Sequence, residues 1–125
     1  MARKILVVED EKTTLHLLVT LLRRHGYDVI SALDGTQAVM QAHKERPDLI
    51  LLDLMMPAGD GLNVCQKLQM SSHTSQIPII VVTGSDQPEL EAKVREVRAC
   101  ALIRKPIVAE DLLARVGEAL GLDAR

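Results

Sequence analysis

The chain has 125 residues, 47% of them hydrophobic and 26% charged, with a formal net charge of −2. That supplies a core for one ordinary domain, residues 1–125, and excludes a disordered chain; with no basic cluster, direct nucleic-acid binding is not expected. The longest apolar runs are a few residues, too short for a bilayer span or a signal peptide, so a cytoplasmic, non-membrane protein is expected.

In chain order, Ile5-Leu6-Val7-Val8 is a short, unalternating apolar run, the pattern of a strand buried on both faces. Leu15, Leu18, Val19 and Leu22 then recur at helical spacing, and Gly26 follows as a stop signal. Val29-Ile30-Ser31-Ala32 is a weaker strand, as an edge strand would be. Asp34 opens a second helix through Ala38, Val39 and Ala42, which halts before Pro47. Leu49-Ile50-Leu51-Leu52 is again a buried strand, followed by a third helix marked by Leu62, Cys65 and Leu68. Ile79-Ile80-Val81-Val82 is the fourth strand. A fourth helix runs through Leu90, Val94 and Val97, with Pro88 near its first turn. Ala101-Leu102-Ile103 reads as a second edge strand. Leu112, Leu113, Val116 and Leu120 mark the fifth helix, which ends at Gly121; Val108-Ala109 stands where a capping side chain would help.

Strand and helix thus alternate five times. Parallel strands joined by right-handed helical crossovers give a three-layer α/β sandwich. Five strands suit the flavodoxin-like, doubly wound order 2-1-3-4-5. Cys65 and Cys100 form no Cys-x-x-Cys pair, and His16, His25, His43 and His73 are scattered. Two reduced thiols in or near the core are expected, without a zinc or redox site. Tyr27 is the sole aromatic, so the core must be aliphatic and base-stacking recognition is excluded.

Ligands of open α/β sheets gather at the carboxyl ends of the strands, near the point where the order reverses. Here the first strand runs into Glu9-Asp10-Glu11 and the third ends in Asp53. The fourth ends in Thr83-Gly84 and the fifth in Lys105-Pro106. Both switch-point strands deliver carboxylates to one edge; a hydroxyl and an ammonium arrive from the next two. Carboxylates this close repel, so one must hold a proton or a cation must sit among them. An oxygen-only ligand set favours a hard ion, Mg²⁺ before Ca²⁺. Singly, each acid could be a solvated cap; together with Thr83 and Lys105 they read as a site.

The stretches ILVVEDE, DLILLDLMMPAGDG, PIIVVTG and IRKP resemble, in order and spacing, the receiver domain of two-component response regulators, chemotaxis regulators included. The resemblance spans residues 4 to 120. It implies that Asp53 accepts a phosphoryl group from a sensor histidine kinase or phosphotransfer protein. It implies that Mg²⁺ is held by Asp10, by Asp53, by Glu9 through a water, and by the backbone carbonyl of Met55. Thr83 and Lys105 would contact phosphoryl oxygens, Gly84 would leave room beside them, and Lys105-Pro106 would be a cis peptide. A downstream protein would read the face of the fourth helix, fifth strand and fifth helix. A homodimer is compatible with the family.

Four positions depart from the family pattern. Glu9 stands for the commoner Asp, Leu102 for Tyr or Phe, Ile107 for Phe, and Arg98 for Gly. The acceptor chemistry is untouched, whereas the aromatic switch that reports phosphorylation is missing its ring. Two other readings compete. A degenerate receiver would be a phosphorylation-independent interaction module. A dehalogenase-type phosphohydrolase would need an acid two residues after its nucleophile, where Met55 stands. A receiver would not be an enzyme in the ordinary sense, catalysing only its own phosphorylation and dephosphorylation.

Overall fold

The computed structural model describes residues 2–54, 61–84, 92, 94–96, 99 and 101–122. Its elements are β1 (Lys4–Val8), α1 (Lys12–Arg24), β2 (Asp28–Ala32), α2 (Gly35–Glu45), β3 (Leu49–Asp53), α3 (Gly61–Met70) and β4 (Ile79–Thr83). A helical stretch at residues 92 and 94–96, α4, precedes β5 (Ala101–Arg104) and α5 (Ala109–Ala119). The strands form one sheet in the order β2-β1-β3-β4-β5, with every pair parallel. This is the flavodoxin-like arrangement, and the two weakly apolar strands, β2 and β5, are its edges.

The apolar runs follow from burial on both faces. Side chains alternate across a strand, so each central strand must be apolar at every position. Leu6, Val8, Ile50, Leu52 and Val81 pack with Ala38 and Ala42 of α2, Cys65 and Leu68 of α3, and Val94 of α4. Ile5, Val7, Leu51, Ile80 and Ile103 face the other way, onto Leu18 and Leu22 of α1 and Leu112 and Val116 of α5. Each buried Leu, Ile or Val among them contributes roughly 1.5–3 kcal/mol. Cys65 is a buried thiol. Cys100, Pro88, Leu90, Val97 and Arg98 lie outside the described residues.

Helix ends are set locally. Asp34 Oδ1 accepts the Gln37 amide at 2.8 Å, and Gln37 Oε1 reaches back to the Leu33 amide at 2.8 Å, tying the entry to α2. α2 closes on Arg46 at φ 47, in the left-handed region, directly before Pro47. α1 is followed by Gly26 at φ 86, a backbone angle glycine adopts without steric cost. Val108 precedes α5 without a side-chain cap; Glu110 and Asp111 lie in the first turn, where negative charge is favoured. Among the described residues, no helix is long and apolar enough to cross a membrane.

Candidate functional site

Strand register brings the sequence-predicted residues to one edge. Val8 lies opposite Leu52, so Glu9 and Asp53 follow side by side on β1 and β3. Asp53 pairs with Val82 and Thr83 with Arg104, which places Thr83 and Lys105 next along the same edge. Ladder bonds continue one residue past the strands. Glu9 N–H donates to the Ala32 carbonyl at 3.0 Å, Leu54 N–H to Val82 at 2.9 Å, and Lys105 N–H to Thr83 at 2.8 Å. The functional side chains therefore stand on fixed backbone.

At the centre is a lysine between two acids. Lys105 Nζ lies 3.2 Å from Glu9 Oε1 and 3.2 Å from Asp53 Oδ2. Glu9 Oε2 also accepts the Glu11 amide at 3.1 Å. Glu9, Asp53 and Thr83 are only 1%, 3% and 0% exposed. Carboxylates are almost never this buried unless paired. Asp10 is the least buried of the three acids, and Glu9, Asp10 and Asp53 each bring a carboxylate oxygen within 4.8 Å of the others.

One ammonium does not balance this set. Burial, joined by the neighbouring Asp53 carboxylate, pushes the Glu9 carboxyl up to about 7, against the Glu11 amide and Lys105, which lower it. Partial burial works to lower the Lys105 ammonium, but the charge and hydrogen bond of Asp53, then those of Glu9, outweigh it and leave it raised. An edge that crowds three carboxylates around one ammonium, and offers hard oxygen donors, fits a divalent ion of the Mg²⁺ type.

Some residues stand apart from this centre. Glu11, the third consecutive acid, is turned away to cap α1. It accepts the Thr13 amide at 3.2 Å, the Thr14 amide at 2.6 Å and the Thr14 hydroxyl at 2.6 Å. Those bonds, the Thr14 hydroxyl foremost, lower its pKa. A run of three acids gives no sign of which one caps the helix. Among the described residues, a methyl group at Gly84 would meet nothing within 4 Å. Lys105-Pro106 is cis. Leu102 is half-buried against the layer formed with α2, α3 and α4, and Ile107 against the layer formed with α1 and α5. Met55 lies outside the described residues. Composition and spacing gave no hint of an apolar groove of about 340 Å³ beside Lys105, lined by Leu17, Leu18, Leu21 and Ile107. Leu17, 64% exposed, lies on its rim.

The response regulator receiver domain model matches residues 5–117. Among solved structures, the chemotaxis protein CheY4 of Vibrio cholerae is 29% identical, with a TM-score of 0.90 over 95% of this chain and 99% of that one. The receiver domain of a signal transduction histidine kinase from Syntrophus aciditrophicus is 32% identical, with a TM-score of 0.89 over 99% and 95%. The receiver domain of sensor histidine kinase PA1611 from Pseudomonas aeruginosa is 26% identical, with a TM-score of 0.89 over 97% and 99%; that structure holds a magnesium ion in its active-site cleft. The chain belongs to the response regulator receiver domain family, the phosphoacceptor modules of two-component signalling.

Proposed function

We propose that this domain takes a phosphoryl group from a phosphohistidine onto Asp53 and thereby changes its affinity for a protein partner. The observation that carries the reading is the Lys105 ammonium held 3.2 Å from both Asp53 and Glu9 at the carboxyl edge of the sheet. An Asp53 oxygen forms the new P–O bond as the donor's P–N bond breaks, and the imidazole leaves with the electron pair. Both reactants are negative, so the barrier is largely electrostatic. Lys105 offsets part of that charge, and the Thr83 hydroxyl donates to a phosphoryl oxygen. Glu9, Asp10 and Asp53, with the Met55 backbone carbonyl, would hold Mg²⁺, which supplies the remaining charge neutralisation when bound.

The donor is a sensor histidine kinase or phosphotransfer protein. The apolar groove opening next to Lys105 supports a protein donor, because it offers contact area beside the acceptor. The domain turns over only its own acyl phosphate and works in the cytoplasm. Its downstream partner reads the face of α4, β5 and α5. A phosphorylation-independent module gains no support from a site whose Glu9, Asp10, Asp53, Thr83 and Lys105 all reach one edge.

Acetyl phosphate labelling followed by intact-mass spectrometry tests the reading. One phosphoryl group should be added with Mg²⁺ and none with a chelator, and the adduct should be alkali-labile. Equal labelling of Asp53→Ala would sink the assignment.

A further inference from the structure

Among the described residues, two glycines have no room for a side chain, and they differ in what fills the space. A methyl group at Gly35, the first residue of α2, would lie 2.7 Å from Val64 Cγ2 of α3. A methyl group at Gly61, the first residue of α3, would lie 2.7 Å from Leu54 Cα, 3.0 Å from Leu54 Cδ2 and 3.1 Å from the Asp53 carbonyl oxygen. Gly61 is buried, and its φ is outside the left-handed region. Space alone, not backbone conformation, therefore requires a glycine there.

The backbone that Gly61 touches is the one that carries Asp53. Leu54 cannot retreat freely, because its amide is bonded to the Val82 carbonyl at 2.9 Å. Asp53 is itself paired in register with Val82. A side chain at 61 must then push either α3 outward or the end of β3 out of the sheet. The second movement carries the Asp53 carboxylate away from Lys105. At Gly35 the obstacle is a side-chain methyl, which can turn while β3 stays in place.

We infer that Gly61 is a positioning residue for Asp53: its bare Cα lets α3 brace the Asp53–Leu54 backbone and fixes where the carboxylate stands. The inference rests on the reading of Asp53 as phosphoacceptor. Small displacements of a reacting group are costly, about 100-fold in rate for roughly 1 Å.

The test uses the full chain with saturating acetyl phosphate and Mg²⁺. It compares wild type, Gly61→Ala, Gly35→Ala and Leu54→Ala, with each rate scaled to the folded fraction from circular dichroism. Gly61→Ala should lower the maximal labelling rate by at least about tenfold. Gly35→Ala should cost stability through the same 2.7 Å crowding but label within twofold of wild type. Leu54→Ala trims a half-buried side chain from the core while leaving the backbone that faces Gly61, and should also label normally. A Gly61→Ala rate within twofold of wild type overturns the inference. So does a Gly35→Ala rate as low as that of Gly61→Ala, which would make the effect general packing strain. Should Gly61→Ala not fold, Leu54→Ala still decides: a tenfold loss there would move the effect to the Leu54 side chain. A wild type that takes no label removes the acceptor reading, and this inference with it; a labelled wild type isolates the failure to Gly61.

Discussion

Lys4 and Lys105 sit at opposite ends of the same parallel sheet, each within hydrogen-bond reach of a glutamate. Lys4 Nζ is 3.0 Å from Glu45 Oε1, and Lys105 Nζ is 3.2 Å from Glu9 Oε1. The two glutamates nevertheless move in opposite directions. The Lys4 hydrogen bond, then its charge, lowers Glu45 below the usual 4.5, whereas burial and the Asp53 carboxylate lift Glu9 to about 7. A lysine partner therefore does not decide the charge state of an acid. At Glu9 burial and the Asp53 carboxylate outweigh the lysine, whereas at Glu45 the lysine outweighs what desolvation there is. The lower end holds a one-to-one surface pair that is complete as it stands. The upper end is short of positive charge, a deficit that a divalent cation would fill.

The largest effect should come from deepening the deficit. Lys105→Met leaves Glu9 and Asp53 without their ammonium, and the labelling rate should fall by about 100-fold, as for removal of one preorganised electrostatic contact. Lys4→Met, at the other end, should label at the wild-type rate. Mass spectrometry over a time course reads both; equal losses would mean that the two ends are not functionally distinct.

Supplying the missing charge should have the next largest effect. Mg²⁺ should bind the folded cluster and not the unfolded chain. At 100 times its Kd it should add about 2.7 kcal/mol, a rise in Tm on the order of 10 °C for a domain of this size. Asp53→Asn should raise the Tm of metal-free protein and blunt the response to Mg²⁺. An Asp53→Asn melt no higher than that of metal-free wild type would argue that the carboxylates do not repel.

The pH dependence should follow the sign of each shift. Glu9 is raised when folded, so in metal-free protein its contribution to stability is complete below about 4.5 and is lost as pH rises through about 7. Thermal melts should therefore fall between pH 5 and pH 8 on Glu9's account, and Glu9→Gln should flatten that slope. Glu45 is lowered, so its contribution is present above its ordinary value and is lost as pH falls through the folded one. Glu45→Gln should leave the slope between pH 5 and pH 8 unchanged.

The contrast between the two ends also marks what could be read in the sequence. Two-sided burial writes itself as continuous apolar runs, so all three central strands were legible, and so were β2 and β5 as edges. Asp53 and Thr83 were legible because each ends such a run, and Lys105 because it follows the weaker edge strand β5. Local order does not distinguish Glu9 from Glu11, yet one is buried beside Lys105 and the other caps α1. Nor does it reveal that Gly61 rests on the end of β3, because closeness between elements is a property of packing. Sequence therefore shows which groups reach the edge, while the environment that sets their charge is a product of the fold.

The smallest effect should be at the lower end, and salt is the means to expose it. Lys4 and Glu45 are partly open to water, with side chains 34% and 29% exposed, so counterions can reach them. Exposed pairs beyond direct contact are screened within a Debye length of about 8 Å at physiological ionic strength, and their net worth is small even before screening. Lys4 is also held by a second bond that needs no side-chain charge of its own, from its amide to Asp48 Oδ2 at 2.7 Å. A double-mutant cycle of Lys4→Met and Glu45→Gln should thus give a coupling close to the error of a thermal melt, and 1 M NaCl, where the Debye length is about 3 Å, should remove what remains. The corresponding cycle of Lys105→Met and Glu9→Gln should give a larger coupling that survives the salt, because Glu9 is out of its reach. If the Lys4–Glu45 coupling proved the salt-resistant one, exposure would not be what separates the two ends, and the account of Glu9 as a desolvated acid would lose its footing.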